Sequence, residues 1–161
     1  MDSVSYRALM RHQAGAVTVI AAGPAGARAG LTATAFSSLS DKPPTVLVCV
    51  QRRASAHDVI VAMGAFSVNI LSSGHEHVAE RFAGRDGSKG EARFETFQWS
   101  TLKTGAPILD GALASLDCQL EDEHTFATHS IFIGRVVDGR FREDGKPLLY
   151  FRNDYWDIGG R

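Results

Sequence analysis

Residues 30–50 read GLTATAFSSLSDKPPTVLVCV, with short hydroxyl side chains and a Pro-Pro pair between two apolar stretches. Residues 45–50 are a short run rich in β-branched residues, which predicts a strand, and the weak alternation of residues 31–36 predicts another. Pro43 and Pro44 lack N–H groups and push Lys42 out of the helical region, so an extended loop is expected before the second strand. Such a strand–loop–strand leaves a ledge of small donors, Thr32, Thr34, Ser37, Ser38 and Ser40, with backbone N–H groups among them. A flat, polar, anionic ligand suits this ledge, because a ring edge pairs with amides while a phosphate takes hydroxyls and N–H groups. Serine and threonine also fill ordinary loops by satisfying the backbone locally, so the ledge alone leaves both readings open.

Immediately downstream stands QRRASAH, residues 51–57. Arg52 and Arg53 supply two cationic forks, and Ser55 is placed to cap a helix over residues 57–63, with Asp58 in its first turn and Gly64 at its end. Two arginines beside a helix N-terminus make a phosphate seat, or else a solvated pair. Upstream, residues 3–13 predict a short helix, residues 16–22 a strand, and residues 28–36 its hairpin partner across GPAGA. Downstream, FSVNIL (66–71) alternates as a strand, residues 75–82 form a helix ended by Gly84, and GRDGSKG (84–90) is a surface loop. Strands follow at 93–99, around Phe94, Phe97 and Trp99, then at 112–123, at 129–137 antiparallel to it, and at 148–151. Many strands with few short helices predict a mainly β fold, a closed or nearly closed antiparallel barrel whose ends the helices cover.

The 161 residues fit a single domain over 1–161. A formal net charge of −1 without a basic block argues against a nucleic-acid partner. No stretch approaches the roughly 20 apolar residues that span a bilayer, so no membrane role is expected. MDSVSYRALMRHQAG lacks the apolar core of a secretory signal, which predicts a cytoplasmic protein. Cys49 and Cys118 are then expected as buried thiols rather than a disulfide. His75 and His77 lie two apart on a helix and face different directions, and no carboxylate–histidine pair has metalloprotease spacing. His124 and His129 flank a turn beside Glu121, Asp122 and Glu123, where surface-turn histidines are far commoner than a metal site, so no metal is expected. No nucleophile elbow, Walker loop or dinucleotide-fold glycine motif is present. His129 opens a strand where a barrel mouth is expected, and could stack on an incoming ring or merely end a strand. YFRNDYWDIGG near the C-terminus gathers aromatics around Arg152, either closing a core or offering a stacking face and an anion contact.

Taken in order, GLTATAFSSLSDKPP, LVCVQRRASAH, FSVNIL, ERFAG, LASLDCQL, HSIFIGRV and PLLYFRNDY resemble the short-chain flavin reductases, over about residues 6–156. These are the small reductase components of two-component flavin-dependent monooxygenases. The resemblance implies the flavin-binding split barrel, an antiparallel Greek-key fold with flanking short helices, as a homodimer. It implies reduction of FMN or FAD by NADH or NADPH, with reduced flavin passing to a partner oxygenase. It places Thr32, Thr34, Ala35, Phe36, Ser37, Ser38 and Ser40 along the flavin ring and phosphate, and Cys49, Val50 and Gln51 beside them. Ser55 and His57 fall near the ribityl phosphate, and Arg81 and Phe82 form a further flavin contact. His129 matches the histidine of the family's Gly-Asp-His motif beside the nicotinamide, and Arg152, Asn153, Asp154 and Tyr155 complete the nicotinamide-nucleotide contacts. Two departures stand out: Ala127-Thr128 replaces Gly-Asp, and Gln51 stands where the family often has Asn.

Hydride transfer between stacked rings needs positioning and desolvation more than acid–base catalysis. Backbone N–H groups over residues 34–37 are expected to face the negative charge of reduced flavin. NADH is favoured over NADPH because the sequence displays no extra basic cluster for a 2′-phosphate. The rivals are a non-catalytic flavin carrier or sensor on the same barrel, and a split barrel that holds heme or pyridoxal phosphate.

Overall fold

A computed structural model describes residues 1–158. Helix α1 spans Ser3–Met10, followed by β1 (Gly15–Ala16), β2 (Thr18–Ala22), β3 (Ala29–Ala33), β4 (Phe36–Asp41) and β5 (Pro44–Gln51). Then come α2 (Ser55–Met63), β6 (Ala65–Ile70) and α3 (Glu76–Phe82). The second half holds β7 (Trp99–Thr101), β8 (Pro107–Leu109), β9 (Ala114–Phe126), β10 (His129–Phe141), β11 (Leu148–Phe151) and β12 (Asp154–Asp157).

Seven strands form one sheet in the order β3-β2-β6-β9-β10-β5-β4, every neighbouring pair antiparallel. β3 and β4 are the two edges of this sheet, yet only Thr34 and Ala35 join them. Three Cα–Cα steps reach at most about 11 Å, so the sheet must curl until its edges meet. The outcome is a barrel closed by the chain and split along the β3/β4 seam. Val46, Val48 and Val50 of β5 fill its interior with Ile20, Phe66 and Phe132. A second apolar layer, including Val17, Val19, Val78, Phe82 and Phe94, lies between the sheet and α3. The absence of a side chain at Gly134 lets the barrel close, since a Cβ there would come within 2.5 Å of the Phe66 ring.

The barrel and its long strands match the expected mainly β, split-barrel class; several local expectations need correction. Residues 37–41 are not a loop but part of β4, an edge strand paired with β5 in a tight hairpin turned by Lys42 and Pro43. Its polar residues hid it, because an edge strand need not bury alternate side chains. The strand expected over 28–36 stops at Ala33, bends at Thr34 and Ala35, and Phe36 already belongs to β4. Residues 93–98 are no strand, and β7 begins only at Trp99: a 3-10 turn covers Gly90–Phe94, and the aromatic spacing reflects Phe94 and Trp99 packing with ring centroids 4.8 Å apart. Ser55 is the first helical residue of α2 rather than its cap; Ala54 holds that position without a side-chain bond. β12 was not anticipated.

Candidate functional site

The seam between β3 and β4 is where the hydroxyl ledge lies. Thr34 and Ala35 are exposed at the bend, and the Ala35 carbonyl accepts the Cys49 N–H at 3.0 Å. The Phe36 N–H is spent on the Thr34 carbonyl at 3.0 Å, so the expected donor row over residues 34–37 is shorter than the sequence suggests. Some hydroxyls are spent as well. Thr32 donates to the Ala79 carbonyl at 2.6 Å, Ser37 to the Ser38 carbonyl at 3.1 Å, and Ser40 accepts the Lys42 N–H. Thr34 and Ser38 keep theirs exposed. Two clefts meet at Thr34. A larger one, about 390 Å³, is lined by Arg7, Arg11, Thr34, Ala35, Tyr150 and Arg152, and a smaller one, about 220 Å³, by Thr32, Thr34, Arg85, Tyr150 and Tyr155. Burial, with the Glu80 carboxylate next in weight, pushes the Tyr155 phenol well above its usual range, so it stays protonated.

Cys49 and Gln51 point outward along β5 while Val50 between them is fully buried, so Val50 offers a ligand only backbone. Gln51 pairs across the ladder with His129, which is exposed, its Nδ1 2.9 Å from the Thr128 hydroxyl. Ala127 and Thr128 form the two-residue tip of the β9–β10 hairpin, and the Thr128 carbonyl accepts the Arg52 N–H at 3.0 Å. A third cleft of about 510 Å³ opens here, lined by Gln51, Arg52, Arg53, His57, Asp58 and Thr128. Ser55 is exposed on the first turn of α2, two residues beyond Arg53. His57, in contrast, is buried, with Nδ1 2.9 Å from Asp58 Oδ1 and Nε2 2.9 Å from Ser130 Oγ and 3.2 Å from Glu123 Oε1. Its ring is committed to protein partners.

Arg81 is similarly committed, to Asp86 at 2.9 Å and to the carbonyls of Ala92 and Arg93. Phe82 is 1% exposed within the core, packed edge-on against Phe94, so its side chain does not reach the seam of its own barrel. Arg152 and Asn153, both left-handed at φ 52° and 67°, form the two-residue turn between β11 and β12. Asp154 and Tyr155 follow on β12, so this group is a hairpin tip beside the cleft of about 390 Å³. Arg7 and Arg11 escaped the sequence reading, because nothing local shows that α1 faces this turn.

The geometry is thus a polar seam with an arginine-lined cleft at either side and an exposed histidine on the adjoining hairpin. Residues 10–159 match the model of the flavin reductase like domain. The chain is 40% identical over 153 residues to the FMN reductase (NADH) RutF of Agrobacterium fabrum, covering 95% of this chain and 87% of that one. It is 39% identical over 152 residues to the 4-hydroxyphenylacetate 3-monooxygenase reductase component of Pseudomonas aeruginosa, covering 94% and 89%. Among solved structures, the NADH:FAD oxidoreductase of Streptomyces globisporus in complex with NAD and FAD fragments superposes with a TM-score of 0.89 at 30% identity, covering 98% and 93%.

Proposed function

Because the chain belongs to the flavin reductase-like family, we propose that its split seam is where FMN or FAD is reduced by NADH, with NADPH as the alternative donor. The reduced flavin then serves a partner monooxygenase, as the relationship to a monooxygenase reductase component supports. The observation that carries the site is the meeting of Thr34, Ala35 and Cys49 at the seam with the Gln51–His129 pair one step along β5.

The exposed groups fit a flavin. Thr34, Ser38 and the Ala35 backbone offer hydrogen bonds to a ring edge, and Cys49 gives the ring a less polar floor. Gln51 lies about 7 Å further along the strand, and beyond it Arg52, Arg53 and Ser55 make a seat for the ribityl phosphate. When bound, the flavin supplies the acceptor for the nicotinamide hydride. The protein's part is to hold the two rings in stacking distance and exclude water. His129 packs and orients the nicotinamide, while Arg152, Asn153, Asp154 and Tyr155 flank the remainder of that nucleotide. Arg81, His57 and Phe82 act from behind, by fixing backbone, rather than by direct side-chain contact within one protomer.

The active form is a homodimer on this reading. Leu39 is 51% exposed, and Leu47, Cys49, Ile131 and Ile133 are only half-buried on the outer face of β4, β5 and β10. α1 buries none of its side chains. An apolar sheet face of this kind is what a second copy covers. The unpaired thiols and the use of NADH support a cytoplasmic setting, and the family match over residues 10–159 supports a single domain. Titration of the protein with FMN, read by flavin fluorescence, tests the seat. R52Q and R53Q each weaken binding by roughly tenfold; unchanged affinity in both places the phosphate elsewhere.

A further inference from the structure

The guanidinium groups divide into two classes. Arg28, Arg81, Arg85, Arg135, Arg140 and Arg142 each pair with a carboxylate, and Arg93 is spent on the carbonyls of Gly30, Phe82 and Ser88. Among the described residues, Arg7, Arg11, Arg52, Arg53 and Arg152 have no such partner. These five gather in two places, one on each side of the seam. Arg52 and Arg53 line the cleft at α2, and Arg7, Arg11 and Arg152 line the cleft between α1 and the β11–β12 turn.

The second group is drawn together from opposite ends of the chain. Arg7 and Arg11 lie four apart, on one face of α1 and its end. The Arg152 N–H donates to the Arg11 carbonyl at 2.9 Å, which fixes the turn against the helix. The negative end of the helix favours cations in its last turn, but it does not account for a third guanidinium brought in by a hairpin. Three unneutralised charges therefore face a cleft of about 390 Å³ whose other walls include Gln13, Thr34 and Asn153.

We propose that this cleft seats the diphosphate of a dinucleotide, with Arg7 and Arg11 joining Arg152 as forks on its oxygens. The proposal rests on the reading that a nicotinamide nucleotide lies along the β11–β12 turn, and it adds α1 to that site. Two molecules carry this group, the pyridine dinucleotide and FAD, whereas FMN has a single phosphate.

The probe is ADP-ribose, which has the diphosphate but neither nicotinamide nor flavin, titrated calorimetrically into wild type, R7Q, R11Q and the double variant. Each substitution raises its dissociation constant roughly tenfold or more, while FMN affinity is unchanged. R11K, which keeps the charge and loses the fork, falls between, and unaltered far-ultraviolet circular dichroism shows that α1 still folds. A raised KM for NADH with kcat retained assigns the seat to the pyridine dinucleotide; weakened FAD relative to FMN assigns it to the flavin. Failure of wild type to bind ADP-ribose overturns the proposal. So does equal binding by all variants, or a loss confined to NADPH, which would mark a seat for the 2′-phosphate. Wild-type protein that binds ADP-ribose through these arginines yet oxidises no NADH would count against the reductase reading alone.

Discussion

Nε2 of His57 lies 2.9 Å from Oγ of Ser130, and this contact joins the first turn of α2 to the strand that begins with His129. Glu123 Oε1 completes the cluster, accepting from Ser130 at 2.7 Å and facing His57 at 3.2 Å. His57 also lines the cleft that Arg52 and Arg53 line, so the cluster ties that cleft wall to β10. Removing the imidazole would take one hydrogen-bond partner from the buried Ser130 hydroxyl and one from the half-buried Glu123, and would leave a gap where the ring packs on Phe132. His57→Ala is therefore expected to lower the unfolding free energy by about 2–3 kcal/mol, with His57→Gln recovering part of it. Urea denaturation checks this, and a midpoint equal to wild type would remove the latch.

The tip of the same hairpin is strained. Ala127 sits at φ 50°, a left-handed conformation that glycine takes without penalty and alanine does not. Ala127→Gly should stabilise the protein by about 1 kcal/mol, raising Tm by roughly 2–4 °C. A lowered Tm would show that the entropy of an added glycine outweighs the strain.

Acid sensitivity traces to Glu91. Its carboxylate accepts the Arg28 side chain and the Arg28 backbone N–H, and these bonds, the side-chain one first, hold its pKa below the ordinary 4.5. A depressed folded pKa means that the contribution is complete above the unfolded value and is lost as pH falls through the folded one. Stability should thus decline below about pH 4.5, and Glu91→Gln should flatten that acid limb while costing stability at neutral pH. Parallel pH profiles for the two proteins would contradict the assignment.

How much of this was legible depended on whether the signal was local. β6 and the β9–β10 hairpin announce themselves by clean alternation, and the landmarks around Thr34, Gln51 and His129 carry the family. β4 was hidden because its solvent-facing hydroxyls imitate a loop, and the Phe94–Trp99 spacing imitated a strand while serving one aromatic cluster. Phe82 sits inside a family landmark, ERFAG, yet its burial beneath Gly30 follows from packing that no short motif encodes. The meeting of Arg7 and Arg11 with Arg152 is purely tertiary, which is why the sequence displayed no basic cluster where the structure has one.

On the proposed function, flavin is reduced at this seam and His129 positions the donor. The most direct measurement is oxidation of NADH at about 340 nm, where reduced nicotinamide absorbs, by wild type and His129→Ala with FMN and with FAD, beside flavin affinity for each protein. Wild type is expected to oxidise NADH in a flavin-dependent way, and the variant's turnover to fall by more than its flavin binding. Flavin binding without oxidation by either nucleotide would contradict the reductase, and equal loss of turnover and flavin affinity would reduce His129 to a structural residue.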